Sequence, residues 1–200
     1  MRRVVLVGSL VVAVLACGGS GPYAGDRRVV AEVVSADAPA SDVEVIRGRL
    51  KRLGVKGTAE GGPVGLTLTL TGVTGPEVLA AVLRPGVVSM RHATDPRILG
   101  NDDVATAVIE EDPNTAYPYL MLELTSEGTE RFCGLTTDHV GEVVVLAVDA
   151  LSMAPVVREP VCGGQVRIDM SGSDLAEAAA MAAAVQGPPL EGTWEVRVVR

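Results

Sequence analysis

The hydrophobic positions in the first half of the sequence alternate between strand-like and helix-like spacing. Residues 66–70 read leucine, threonine, leucine, threonine, leucine, which is typical of a strand with one buried face. Residues 43–53 are apolar at helical spacing, and Gly54 follows them as a helix stop. Ser41 and Glu44 are spaced as a capping box that begins this helix. The predicted elements are strands at 27–35, 55–60, 66–70 and 87–92 and helices at 41–53 and 76–83.

The second half of the sequence mixes strand and helix patterns in the same way. A helix is expected at 126–139, with Phe132 and Leu135 facing inward. An alanine-rich helix is expected at 173–185, with Ser173 as its N-cap and a Gly-Pro-Pro sequence after it. The strand predictions of this half are 104–110, 119–124, 143–149, 153–157, 165–170 and 194–199.

These elements predict an α+β fold in two parts. The order β-α-β-β-α-β over residues 27–92 is that of a ferredoxin-like subdomain, which we call the base. Residues 93–102 are expected to be a linker. Residues 103–200 alternate sheet and helix again and are expected to form a second α+β subdomain, which we call the head.

The first 26 residues have the pattern of an export signal followed by a tether. Residues 1–16 combine a basic start with an apolar stretch too short to span a bilayer, which is typical of a signal peptide. The four residues that end at Cys17 resemble a bacterial lipobox, so we expect Cys17 to carry the lipid of a lipoprotein, with a flexible tether at 17–26. A cleaved signal without lipid, or a buried strand ending in a core cysteine, are the alternatives. Because no later segment is apolar enough to span, the mature chain is expected to be anchored to a membrane, on its extracytoplasmic side.

Composition excludes several classes of function. The net charge of −8 and the 2% aromatic content argue against nucleic acid as a partner, because a phosphate backbone needs a basic face and single strands need stacking rings. The sequence has no GxSxG motif and no P-loop. His92 and His139 are expected in different halves, so neither is assigned a catalytic role. The carboxylates at 110–112 are expected to be a solvated hairpin. No cofactor and no metal site is therefore predicted.

The head region resembles a known family. Gly128-Thr129 to Phe132 match a helix start, residues 148–155 match a hairpin with Asp149, and Gly163-Gly164 to Ile168 match the strand that follows. With an acidic alanine-rich helix that ends at 187–190, these segments resemble the first periplasmic domain of SecD and SecDF protein-export proteins. The resemblance covers roughly residues 29–190. Ala150 replaces the family's hairpin glycine, Pro188 replaces an alanine, and the family's membrane-spanning half has no counterpart.

The resemblance implies a binding function rather than an enzymatic one. It implies that the chain is a lipoprotein whose SecD-like domain binds exported or unfolded polypeptide, or the Sec translocon, as an accessory to protein export. An envelope assembly module that reuses the fold to bind another envelope protein is the alternative, and a hydrolase with an unrecognised site is a second one. The client, the membrane that holds the anchor and the oligomeric state are not assigned.

Two cysteines remain beside Cys17. Cys133 and Cys162 form an even pair in an exported chain, which is typical of a disulfide. The fold implied by the resemblance places the head helix near residues 160–164, so that contact between the two cysteines is feasible. Two separate core thiols are the alternative. The wide spacing and the lack of a CxxC pair argue against a zinc site formed by these cysteines.

Overall fold

The computed structural model describes residues 22–35, 39–62, 65–170 and 172–199. The predicted signal at 1–16 and residues 17–21 of the predicted tether, including Cys17, therefore lie outside the described residues. The prediction of a flexible tether was wrong for the residues after these, because Tyr23 is buried, its hydroxyl donates to the carbonyl oxygen of Ala176 at 2.8 Å, and a strand begins at Ala24. The longest helix within the described ranges has 13 residues, and none of their helices is long and apolar enough to cross a membrane.

Strands and helices follow one another closely along the described chain. Leu53, Gly54 and Val55 form the turn after the first helix, where Gly54 adopts the left-handed φ of +66° that favours glycine. In chain order the elements are β1 (Ala24–Val34), α1 (Ser41–Arg52), β2 (Lys56–Gly62), β3 (Gly65–Val73), α2 (Glu77–Val82), β4 (Val88–His92), β5 (Ile98–Leu99), a 3-10 turn (Asn101–Asp103), β6 (Val104–Glu111), β7 (Pro118–Leu124), α3 (Ser126–Asp138), β8 (Val144–Val148), β9 (Leu151–Met153), β10 (Gln165–Asp169), α4 (Leu175–Val185) and β11 (Glu195–Val199).

The base is an antiparallel sheet in the order β11-β1-β3-β2, with α1 and α2 contributing buried side chains to its core. In β3, Leu66, Leu68 and Leu70 are at most 4% exposed, and they point to the same face because side chains alternate along a strand. Ile46 and Leu50 of α1 pack in the same core, as their helical spacing predicts. The α+β class and the ferredoxin-like base are confirmed.

The strand that completes the base sheet differs from the prediction. Residues 87–92 do form a strand, β4, but it pairs with β5 and β8 of the head. The fourth strand of the base is β11, which runs antiparallel to β1. Assigning 87–92 to the base and 194–199 to the head was therefore wrong. Both segments have the same local strand pattern, and only long-range pairing decides which one lies beside β1.

The head contains two antiparallel sheets around one core. One sheet has the order β10-β7-β6 and the other β5-β4-β8-β9. Phe132 and Leu135 of α3 face inward between them, as predicted, and are 5% and 0% exposed. The predicted linker at 93–102 contains regular structure, because Ile98–Leu99 forms the short strand β5 and a 3-10 turn begins at Asn101. Since the strands of the head lie between α2 and β11 in the sequence, the chain enters and leaves the head through the base.

Helix α4 lies between the two cores. Ala178, Met181 and Val185 pack in the head core, whereas Ala180 and Ala183 pack in the core of the base. The small alanine side chains allow both layers to approach the same helix closely. The alanine-rich composition of 173–185 thus serves a helix that is buried on two sides.

A buried arginine joins α1 to the ends of α2 and α4. Arg49 is 0% exposed, and its guanidinium donates to the carbonyl oxygens of Val82 at 3.2 Å and of Ala184 at 3.3 Å, as well as to those of Arg84 and Pro85. Carbonyl groups at helix C-termini lack intrahelical donors, so a cation there is favourable. Burial lowers the pKa of Arg49 to about 10. Arg49 therefore holds the base and α4 together through backbone carbonyl groups near the ends of α2 and α4.

Both predicted serine caps were wrong. Ser41 is the first residue of α1, because Pro39 and Ala40 already accept the first backbone hydrogen bonds. The N-cap of α4 is Asp174, whose carboxylate accepts from the backbone N–H of Glu177 at 2.8 Å. A serine and an aspartate one position apart offer similar capping groups, so local sequence does not decide between them.

Candidate functional site

A wide apolar groove lies where the base meets the head. Its volume is about 1260 Å³, and its walls come from α2, α4, β11 and the turn between β8 and β9. This volume is larger than a typical small-molecule pocket of roughly 300–1,000 Å³. The main apolar lining residues are Leu79, Leu83, Leu151, Met181, Trp194 and Val196.

The groove is bordered by strands at the ends of two different sheets. Within the described part of the chain, β11 pairs only with β1 and β9 pairs only with β8. Val196 of β11 lines the groove and is 42% exposed. An edge strand beside apolar side chains is the arrangement that accepts an added strand of extended polypeptide.

Charged groups stand on one side of the groove. The Arg84 guanidinium lies 3.7 Å from a carboxylate oxygen of Glu177 and 4.0 Å from Oδ2 of Asp149. Asp149 has a φ of +51° at the turn after β8, and its Oδ1 accepts from the backbone N–H of Val87 at 2.8 Å. This agrees with the hairpin that the family resemblance places at 148–155. Its Oδ2 is buried and has no hydrogen-bond donor among the described residues.

Cys133 and Cys162 are joined in a disulfide. Their Cα atoms are 4.5 Å apart, and 29 positions separate them in the sequence. The bond ties α3 to the loop that precedes β10. The backbone N–H of Val161 also donates to Oγ1 of Thr136 on α3 at 2.9 Å. The loop before β10 is therefore fixed to α3 by a covalent bond and a hydrogen bond next to each other.

The two histidines lie together, contrary to the prediction that they occupy different halves. The rings of His92 and His139 stack with centroids 3.7 Å apart. Sequence reasoning missed this pair because β4 was assigned to the base. His139 Nε2 lies 2.9 Å from Oδ2 of Asp95, and its Nδ1 lies 3.1 Å from Oε2 of Glu142. The hydrogen bond to Asp95 is the main cause that raises the pKa of His139, and the hydrogen bond to Glu142 raises it further.

The carboxylates at 110–112 belong to the β6–β7 hairpin, as expected. Glu110 accepts a hydrogen bond from the Tyr119 hydroxyl, which raises the pKa of that phenol. Asp112 begins the turn and accepts from Nη2 of Arg167 at 2.7 Å. Each of these two carboxylates therefore has a structural partner across the sheet.

The fold just described is that of a known family. Residues 77–191 match the family described as SecDF, P1 head subdomain. This match covers more than half of the sequence, and the chain belongs to that family. It includes α2, the whole head and α4, and so every residue that lines the groove except Pro76, Trp194 and Val196.

Curated relatives extend the likeness toward the N-terminus. The protein translocase subunit SecD of Acidaminococcus fermentans is 26% identical over 167 residues, which cover 82% of this chain and 40% of that protein. The protein translocase subunit SecD of Dictyoglomus turgidum is 27% identical over 135 residues, covering 66% of this chain and 34% of that protein. The chain thus corresponds to well under half the length of these relatives.

Solved structures show the same fold. A crystal structure of SecDF in a super-membrane-facing form matches with a TM-score of 0.70 and 21% identity, over 86% of this chain and 30% of that chain. A second structure, of a SecDF membrane component that enhances protein export, matches with a TM-score of 0.65 and 20% identity, over 87% of this chain and 99% of that chain. The second chain has almost the same extent as the described fold.

Proposed function

We propose that this protein is an extracytoplasmic, non-enzymatic accessory of protein export that binds exported or unfolded polypeptide in the groove between base and head. The observation that carries the proposal is the position of edge strand β11 beside an apolar groove of about 1260 Å³. A segment of unfolded chain has unpaired backbone groups and exposed apolar side chains. The edge strand satisfies the first and the groove covers the second.

The family supports this proposal. Its members named above are protein translocase subunits, and one structural neighbour is described as enhancing protein export. The translocon is therefore the proposed second partner. The full sequence has a net charge of −8, which disfavours binding to nucleic acid.

The lipid anchor is part of the same proposal. The four residues ending at Cys17 have the pattern of a lipoprotein processing site, and residues 18–21 read glycine, glycine, serine, glycine. Acylation of Cys17 would hold the domain at the membrane surface, and a tether of this composition would leave it free to reach a translocon exit. Mass spectrometry of the N-terminal peptide from membranes tests this part, and a peptide that begins before residue 17 would overturn it.

Site-specific crosslinking tests the groove. A photoreactive amino acid placed at Val196 is expected to capture many newly exported chains, because this side chain is exposed inside the groove. The matched control is Val140, which is 49% exposed and does not line the groove. Repeated capture of one envelope protein from Val196 would indicate an assembly module instead, and equal capture from both positions would overturn the groove as the binding site.

A further inference from the structure

We propose that His92, His139 and Glu142 form a binding site for a divalent transition-metal ion of the Zn²⁺ class. They are the chain's only two histidines and an acidic residue from the turn before β8. His92 ends β4, His139 follows α3, and Glu142 lies in that turn. The three residues meet at one point on the surface of the head. Imidazole nitrogen and carboxylate oxygen are donors that Zn²⁺ prefers.

The donor atoms converge on one position. Nε2 of His92 lies 2.8 Å from Oε2 of Glu142, and Nδ1 of His139 lies 3.1 Å from the same oxygen. The three donor atoms all lie within 4.8 Å of one another. Tetrahedral zinc bonds of about 2.0–2.2 Å place ligand atoms roughly 3.3–3.6 Å apart. The site therefore needs shifts of about an ångström, and the exposed Glu142 side chain is free to make one.

A second layer of side chains already orients His139. Asp95 accepts from Nε2 of His139 at 2.9 Å, and Arg97 donates to Asp95 from its backbone N–H at 2.8 Å and from Nε at 2.9 Å. Arg97 in turn donates to Asp138 at 2.7 Å. A carboxylate behind one imidazole nitrogen is the usual support of a metal-ligating histidine, because it turns the other nitrogen toward the ion.

The hydrogen-bonding pattern favours a cation at this position. Both ring nitrogens of His139 face carboxylate oxygens, so Nδ1 either carries a proton that it donates to Glu142 or, once that proton is released, presents a lone pair to the lone pairs of Glu142. A positive ion between them makes this contact favourable. Among the ion pairs that the described residues form around the site, three carboxylates, Asp95, Asp138 and Glu142, stand against the guanidinium of Arg97, so the surrounding charges act in the same direction.

Ion binding requires one ring to move. The histidine rings are nearly parallel, with an interplanar angle of 19°, so their lone pairs run side by side. Asp95, which is not a proposed ligand, holds His139, whereas the partners of His92 are Thr94 at 3.3–3.4 Å and Glu142 at 2.8 Å, and Glu142 is a proposed ligand that moves with the ion. His92 is therefore the ring that turns toward the ion. Metal binding should separate the stack and change the environment of both rings.

Calorimetric titration of Zn²⁺ into the untagged, full-length, oxidised chain tests the site. We expect one ion per chain, at least tenfold weaker binding in the variants Glu142→Gln and His139→Gln, and a 10- to 100-fold loss in Asp95→Asn, whose residue only positions His139. The matched control Glu127→Gln changes an exposed glutamate of α3 and should bind like the parent chain. Cys17→Ser should also bind normally, which separates this site from thiol binding.

Nuclear magnetic resonance supplies the structural readout. The chain contains two imidazole rings, so two sets of ring signals are expected. Zn²⁺ should shift the Nδ1 signal of His139 and the Nε2 signal of His92, and Asp95→Asn should move the Nε2 signal of His139 before metal is added. Undiminished binding in Glu142→Gln, whose side chain is 55% exposed and tolerates substitution, would overturn the proposal. So would the absence of saturable binding by the parent chain.

Discussion

Arg49 of α1 donates from Nη2 to the carbonyl oxygen of Ala184, at 3.3 Å, in the last turn of α4. The two residues are 135 positions apart, and the contact fixes the helix that is shared by both cores to the base. The same guanidinium satisfies three carbonyl groups at 82–85, so one side chain closes the ends of two helices.

Arg49→Met should destabilise the chain by about 2–4 kcal/mol, because it removes the guanidinium that donates to the carbonyl oxygens of Val82, Arg84 and Ala184. Arg49→Lys should recover only part of this loss, since an ammonium cannot reproduce the planar fork of donors. Urea unfolding monitored by circular dichroism measures both variants. The exposed Arg28→Met on β1 is a suitable control. Equal stability of Arg49→Met and the control would contradict the role given to Arg49.

Asp42→Asn should weaken the contact between α1 and residues 191–194, which lead the chain back into the base. Asp42 is 1% exposed, and its carboxylate accepts from the backbone N–H groups of Glu191 and Gly192 and from Nε1 of Trp194, all at 3.0–3.1 Å. Asparagine has one acceptor oxygen where two are used, so a loss of about 1–3 kcal/mol is expected.

Trp194 is the chain's only tryptophan, so its fluorescence reports this contact directly. In Asp42→Asn the emission should shift to longer wavelength before global unfolding. The exposed neighbour Glu44, substituted by Gln, should leave the emission unchanged. An unshifted spectrum and an unchanged unfolding midpoint in Asp42→Asn would show that the contact is dispensable.

Replacing Cys133 and Cys162 together by serine should lower the free energy of unfolding by about 3.5 kcal/mol. This value is the chain-entropy estimate for a loop closed over 29 positions. Non-reducing peptide mapping of the native protein should first show the linked peptides. Two free thiols in the peptide map, or an unchanged unfolding midpoint in the double variant, would show that a disulfide does not stabilise the head.

Arg167→Gln should lower the stability of the head at neutral pH. The loss relative to the parent chain should be smaller in acid. The hydrogen bond from Arg167 holds the pKa of Asp112 below its usual value, which is about 3.9 in unfolded chains. Its stabilising effect is therefore fully present above pH 4 and is lost as the pH falls through the folded-state pKa.

Unfolding midpoints of both proteins between pH 7 and pH 3 measure this difference, with the exposed Arg158→Gln as control. The difference between the unfolding midpoints of the two proteins should become smaller in acid without reaching zero, because Arg167 also packs over the Tyr119 ring at 4.0 Å. A difference between the midpoints that is constant across this pH range would mean that the ion pair with Asp112 makes no measurable contribution to stability.

The sequence predicts the secondary structure of this protein better than it predicts the candidate functional residues. The leucines of β3 and the inward residues of α3 follow directly from periodicity, and the structure buries them as expected. The helix caps were missed because neighbouring polar residues compete for the same role. The histidine pair was missed because its members come from segments whose pairing partners are far apart in the sequence.

The sequence by itself determined the class of fold, most of the strands and helices, and the resemblance to SecD, because hydrophobic spacing and turn residues act over short distances. Tertiary structure alone decided which strand lies beside β1 and which helix Arg49 reaches. It also decided that His92 meets His139. Each of these depends on contacts between residues that are distant along the chain, where many pairings satisfy the same local pattern and only the packing of the whole molecule selects one.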